Sequence, residues 1–147
     1  MTHGREPLGL TQLLYTWHQI LMGYTQGHQE MVDLVDNNVL CFIPIVNIDA
    51  YILTLEDYKK TGIIKGIRRN RNNSTLCGTS GIDHFYGVDL NRNFDFCWNA
   101  NNKGSSKSAC DYNFRGLAPF SEPETQAFKK FVEENEDKIK VVVSLHT

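Results

Sequence analysis

Apolar residues recur at three- and four-residue steps over Leu10, Leu13, Leu14, Trp17, Leu21 and Tyr24, the spacing of one helix face. With Pro7 suited to a first helical turn, the pattern predicts an amphipathic helix from about Pro7 to Tyr24. A shorter helix over His28–Val35 ends at the turn cluster Asp36-Asn37-Asn38. The pattern then changes in kind. Val39–Val46 is almost wholly apolar and rich in β-branched residues, which suits a strand buried on both faces, although Pro44 counts against an internal ladder position. From Asn47 to Thr61 a loop leads into a helix with Asp49 as a plausible N-cap. A glycine-bearing loop is expected between Leu76 and Tyr86, then a short strand over Tyr86–Leu90 that hands over to Asn91-Arg92-Asn93-Phe94. Asp95–Cys110 reads as a long polar loop. Ser121-Glu122-Pro123-Glu124 is a helix start with acids in the first turn, and Phe128, Phe131 and Val132 mark the inner face of a helix running to about Lys138. Val141–His146 is the last predicted strand.

Strands alternating with helices predict an α/β fold, a mixed, largely parallel sheet with helices on both faces, whose sites form at the carboxyl ends of the strands. Asn91, Arg92 and His146 all fall at such ends. At 147 residues and 41% hydrophobic, the chain fits one domain with a real core. A net charge of −2 offers no basic field for nucleic acid, and no apolar run approaches the eighteen or so residues of a membrane span. Cys41, inside an apolar run, reads as a buried free thiol. Cys77, Cys97 and Cys110 lie in polar loops, where they read either as the loop staples of an exported protein or as ordinary thiols. The overlapping sequons Asn72-Asn73-Ser74 and Asn73-Ser74-Thr75 lean toward a secreted or lumenal protein.

The candidate chemistry sits at the two ends of this pattern. His3-Gly4-Arg5-Glu6 sets an imidazole and a carboxylate three positions apart, and a catalytic zinc takes three protein ligands with one position left open. His146, at the end of the last predicted strand, supplies the third. Asn91 and Arg92 side by side suit a substrate carboxylate, the guanidinium forking onto both oxygens while the amide adds a further hydrogen bond. Arg68-Arg69-Asn70-Arg71 has no core-facing period; such a run is usually a solvated face, and Arg69 is read that way.

His3-Gly4-Arg5-Glu6, Ile43 through Asp49, Arg68 through Arg71, Gly87-Val88-Asp89-Leu90-Asn91-Arg92-Asn93-Phe94, Phe114-Arg115-Gly116 with Phe120-Ser121-Glu122-Pro123-Glu124, and Ser144-Leu145-His146-Thr147 resemble, in the same order, the zinc carboxypeptidases of the carboxypeptidase A and B family. The resemblance covers essentially the whole chain. It implies one Zn2+ held by His3, Glu6 and His146, with Arg71 polarising the scissile carbonyl. It also implies Asn91 and Arg92 as the clamp on the terminal carboxylate and Arg5 as a secondary substrate contact. The expected substrates are the C-termini of peptides and proteins. Ile48 and Ala50 stand where the family usually has proline and glycine, and Phe114 where tyrosine is common. The family's general-base glutamate lies well downstream of the third ligand, and several of its strands precede the first two. Residues 1–147 are therefore expected to be a partial catalytic domain with an incomplete carboxypeptidase fold, inactive by itself. Two alternatives stand beside that reading: a non-catalytic remnant that binds peptide C-termini, and a related zinc deacylase.

Overall fold

The computed structural model describes residues 1–73, 77 and 86–147. Four helices and one tight turn form among them: α1 over Pro7–Thr25, α2 over Gln29–Asn37, α3 over Ile48–Thr61, a 3-10 turn over Leu90–Arg92, and α4 over Pro123–Glu133. Pro7 opens α1, where its missing N–H leaves no bond unmade. Farther along, Trp17 stacks on Phe42 with ring centroids 5.4 Å apart. That contact ties α1 to the apolar segment 39–46.

The N-cap of α3 is Asn47 rather than Asp49. Asn47 Oδ1 accepts from the Ala50 N–H at 3.2 Å while its Nδ2 donates to the Thr2 carbonyl at 3.1 Å. Either residue type can cap a helix, but a carboxylate has no donor for the buried carbonyl of Thr2. Asp49 takes the first turn instead, where its charge faces the positive end of the helix dipole. At the other end of the chain α4 stops at Glu133, short of Lys138. Glu133, Glu134, Glu136 and Asp137 crowd the negative end of the dipole, and Asn135 Nδ2 closes the last turn by donating to the Phe131 carbonyl at 2.8 Å.

None of the three predicted strands builds a ladder among the described residues. Tyr86–Leu90 is interrupted at its end, because the Asp89 carboxylate accepts from the Asn91 N–H at 3.1 Å and starts the 3-10 turn there. What pairing exists is scattered. Asn70 N–H donates to Val88 O at 3.0 Å, Arg5 N–H to Ile67 O at 2.7 Å and Asp89 N–H to Phe114 O at 2.8 Å, and Ser106 makes a single parallel bridge with Phe114. The apolar segments have no strand beside them among the described residues, and Val39, Val141 and Val143 are 90%, 78% and 73% exposed. The expected glycine-bearing loop lies outside the described residues, as do Ser74 and Thr75 of the sequons.

The best-packed region is polar. Beside Ala50, Ile67, Val88, Leu90 and Phe114, the buried side chains include His3, Glu6, Asn47, Arg69, Asn70, Asp89, Asn93, Arg115, Glu122 and Thr125. Interiors of this composition are held by satisfied hydrogen bonds rather than by apolar area. Arg69, expected on a solvated face, is one of them: its guanidinium donates to the carbonyls of Gly87 and Ala109 at 3.1 and 2.7 Å. A disulfide joins Cys77 to Cys110. Cys41 is free as expected but exposed rather than buried, and Cys97 is also a free, exposed thiol. No helix among the described residues is long and apolar enough to cross a membrane.

Candidate metal centre

His3 and Glu6 bracket the turn that feeds α1, and close packing fixes that turn. A Cβ on Gly4 would stand 2.6 Å from the Ala50 carbonyl, so only glycine lets the turn lie directly on α3. One helical turn further, Gly9 brings α1 against the Leu145 carbonyl, 3.2 Å from where its Cβ would be. That contact delivers His146 to the same corner. Although His3 and His146 are at opposite ends of the sequence, their ring centroids are 5.1 Å apart.

One donor atom from each of His3, Glu6 and His146 falls within 4.8 Å of the other two. His3 Nδ1 lies 2.8 Å from Glu6 Oε1, and His146 Nδ1 lies 2.9 Å from Glu6 Oε2. Both imidazoles thus turn the same nitrogen toward one carboxylate, and their other nitrogens are already engaged. His3 Nε2 meets Asp89 Oδ1 at 3.0 Å, and His146 Nε2 lies 3.1 Å from Ser144 Oγ. A ring nitrogen bonded to a carboxylate behind it is the usual outer support of a metal-binding histidine, fixing its tautomer and its plane. With two nitrogens and one carboxylate, the set matches the donors of a catalytic rather than a structural zinc site. His3 and Glu6 are buried while His146 is exposed, which leaves an approach from one side.

Asp89 is the hub behind the triad. Besides His3 it accepts from Arg68 Nε at 2.7 Å through Oδ2 and from the Asn91 N–H through Oδ1. Burial by itself would raise its carboxyl pKa; the His3 hydrogen bond and the Arg68 charge outweigh burial and hold it below the usual carboxylate range. Glu6 behaves alike: burial raises it, but the hydrogen bond from His146 and the charge and hydrogen bond of His3 together bring it below its ordinary value. Both acids are poised as anions, Glu6 between the two imidazoles and Asp89 behind His3.

The arginines separate into distinct roles. Arg68 Nη1 reaches to 4.0 Å from Glu6 Oε1, and its guanidinium carbon lies 5.9 Å from the Tyr112 ring centroid. Arg71, the arginine singled out by its place at the end of the run, has its guanidinium over the ring of Tyr86 at 5.1 Å. Arg68 thus meets the triad through Glu6 and Asp89, and nothing in Arg68-Arg69-Asn70-Arg71 distinguishes it without the fold. Asp89 was equally hidden as a participant, although it sits inside the most distinctive segment of the sequence. Its signal was position, one residue before a turn that carries Asn91 and Arg92.

Asn91 and Arg92 form the 3-10 turn that Asp89 caps, which links them to the triad by one side chain. Arg92 Nε donates to the Gly104 carbonyl at 2.8 Å and Nη1 to the Asn91 carbonyl at 2.9 Å. The Asn91 amide and Arg92 Nη2 make no hydrogen bond among the described residues, so both remain available to a ligand. Arg5 is exposed beside the triad, and its backbone N–H donates to the Ile67 carbonyl at 2.7 Å.

A His-Glu-His donor set with a carboxylate behind it and two arginine-bearing elements beside it belongs to the class of mononuclear zinc hydrolases. Sequence comparison narrows the class: the family described as zinc carboxypeptidase matches residues 1–147, and the chain belongs to that family. It is 30% identical over 145 residues to carboxypeptidase O of Bos taurus, covering 99% of this chain and 35% of that protein. To carboxypeptidase B of Rattus norvegicus it is 33% identical over 145 residues, covering 99% of this chain and 31% of the relative. Among solved structures, carboxypeptidase A from Helicoverpa armigera superposes with a TM-score of 0.72 at 30% identity, over 94% of this chain and 29% of that one. The chain thus spans about a third of the length of the curated relatives it matches.

Proposed function

We propose that residues 1–147 carry the metal ligands, the oxyanion-facing arginine and the carboxylate clamp of a zinc metallocarboxypeptidase that hydrolyses the last peptide bond of its substrates. The observation that carries this reading is the convergence of His3, Glu6 and His146, from opposite ends of the sequence, onto one space backed by Asp89. Zinc held there supplies Lewis-acid polarisation of a carbonyl and acidifies water. The protein's own residues do the rest. Asp89 holds the His3 ring with Nδ1 facing inward, and it steadies Arg68. Arg71 is assigned to the scissile carbonyl oxygen, where negative charge develops, while Arg68 stands beside the triad on Asp89 and Glu6. Electrostatic complementarity of that kind is commonly the largest contribution to such catalysis. Asn91 and Arg92 receive the free carboxylate of the last residue, which restricts cleavage to chain ends. Arg5 flanks the entrance, where it meets the backbone of the residues before the scissile bond.

We assign the segment to a larger α/β catalytic domain whose further strands lie against segments 39–46 and 141–146 and whose general base lies outside residues 1–147. The exposure of Val39, Val141, Val142 and Val143 supports this assignment, since strands of a largely parallel sheet are buried on both faces. The Cys77–Cys110 disulfide supports maturation in an oxidising compartment, secreted or lumenal.

Two substitutions test the assignment. His3→Ala is expected to abolish stoichiometric zinc binding as read by elemental analysis after dialysis; a full zinc complement in that variant would remove His3 from the ligand set. Arg92→Ala is expected to weaken binding of free-carboxylate peptides by about tenfold or more, with amidated peptides unaffected. Equal losses on both would remove the clamp.

A further inference from the structure

Glu122 is buried at 1% exposure, at the N-cap position of α4, and both of its carboxylate oxygens are taken by side chains. Oε2 accepts from Asn70 Nδ2 at 2.7 Å and from Asn72 Nδ2 at 2.9 Å. Oε1 accepts from Ser121 Oγ at 2.7 Å, and that hydroxyl accepts from Asn93 Nδ2 at 2.9 Å. Asn93 is the residue on which the Asn91–Arg92 turn ends, and its Oδ1 in turn accepts from the Glu122 N–H at 3.3 Å and from Thr125 Oγ1 at 2.7 Å. On the other side Asn70 is locked to Val88: its N–H donates to the Val88 carbonyl and its Oδ1 accepts from the Val88 N–H at 2.8 Å.

One buried carboxylate therefore adds a further tie, from the α4 side, between two elements already in contact at Asn70–Val88 and through Asp89: the segment carrying Arg68 and Arg71 and the turn carrying Asn91 and Arg92. We propose that Glu122 is a positioning residue, which through Asn70 and Asn72 on one side and Ser121 and Asn93 on the other fixes the spacing between the oxyanion-facing arginine and the carboxylate clamp. This rests on the function assigned above. A peptide end must satisfy both groups at once, and a displacement of about an ångström between them lowers the chance that it does. The helix N-terminus contributes by favouring an anion at the cap. Asparagine donors suit the role better than cations, because they hold the carboxylate without placing a competing charge beside the arginines.

The test uses the whole chain in its zinc-loaded form, with Glu122→Ala and the isosteric Glu122→Gln. Hydrogen–deuterium exchange at Asn70 and Val88 reads the joint itself. We expect about tenfold faster exchange there in Glu122→Ala, a smaller increase in Glu122→Gln, and no change in α1. Affinity for a free-carboxylate peptide is expected to fall about tenfold in the alanine variant and less in the glutamine variant, with zinc affinity unchanged. Unchanged exchange at Asn70 and Val88, or a loss of zinc affinity equal to the loss of peptide affinity, overturns the proposal. A wild-type chain that fails to distinguish free-carboxylate from amidated peptide counts against the clamp, and the exchange measurement still decides whether Glu122 is the joint.

Discussion

At the scale of single residues the site depends on Asp89, which serves His3, Arg68 and the Asn91 N–H at once. Asp89→Asn keeps the shape but removes the charge and one acceptor. Outer carboxylates behind metal-bound histidines typically contribute ten- to a hundredfold in affinity, so zinc affinity is expected to fall by about that much, read by competition with a chromophoric chelator. An unchanged affinity would show that the His3 ring is held by its surroundings without Asp89. The arginines permit a sharper comparison. In the full-length enzyme, Arg71→Ala is expected to lower kcat/KM about a hundred- to a thousandfold with zinc content intact, the magnitude seen for loss of an oxyanion donor. Arg68→Ala, which removes the cation paired with Asp89, is expected to act instead by lowering zinc affinity about tenfold. A larger loss of kcat/KM in Arg68→Ala at full zinc content would move the role to Arg68. The run of Arg68 to Arg71 shows what the linear pattern hides: its three arginines are chemically alike, and only the fold sends Arg69 inward and Arg68 to Asp89.

At the scale of elements, helices were legible and their ends less so. Three- and four-residue spacing of apolar positions is a local property, and α1 and α2 form within a residue or two of where it predicts them. Caps depend on what else the side chain meets. Asn47 displaces Asp49 because its amide bonds the Ala50 N–H and the Thr2 carbonyl together, a tertiary contact invisible in the linear pattern. Asn47→Ala removes the cap and the tie to the ligand-bearing segment. It is expected to destabilise the chain by about 1 to 2 kcal/mol in urea unfolding, typical for loss of an N-cap, and to weaken zinc binding through the loosened His3 turn. Asn47→Asp preserves the cap alone, so it is expected to regain most of the stability while leaving the Thr2 carbonyl without its donor. The candidate triad was readable for a different reason: a His-x-x-Glu pair and a histidine after an apolar run are chemical signatures that survive ignorance of the path between them. That Gly4 and Gly9 are what allow the pieces to meet could be recognised only once Ala50 and Leu145 were seen against them.

At the scale of the molecule, polar burial and apolar exposure are inverted relative to an ordinary domain. Charged and amide side chains fill the interior around Asp89 and Glu122, while Val39, Val141, Val142 and Val143 face solvent. Segments of this composition without strand partners are sites of association. Ladders require neighbours across the chain, so the predicted sheet, like the Asn47 cap and the Gly4 and Gly9 contacts, is beyond what local sequence can deliver by itself. Two properties are expected of the chain in solution. It should bind zinc with the affinity of a three-ligand site, because its donors and the Asp89 support are all present. It should turn over a blocked dipeptide no faster than buffer containing zinc, because the roles proposed for the arginines and the clamp are to stabilise and orient a substrate, not to remove a proton from the attacking water. Assaying the purified, zinc-loaded chain beside the full-length enzyme separates the two: zinc binding without turnover supports a catalytic domain divided across the sequence, whereas measurable hydrolysis by residues 1–147 would require a base among them, with Glu6 and Asp89 the nearest carboxylates to examine.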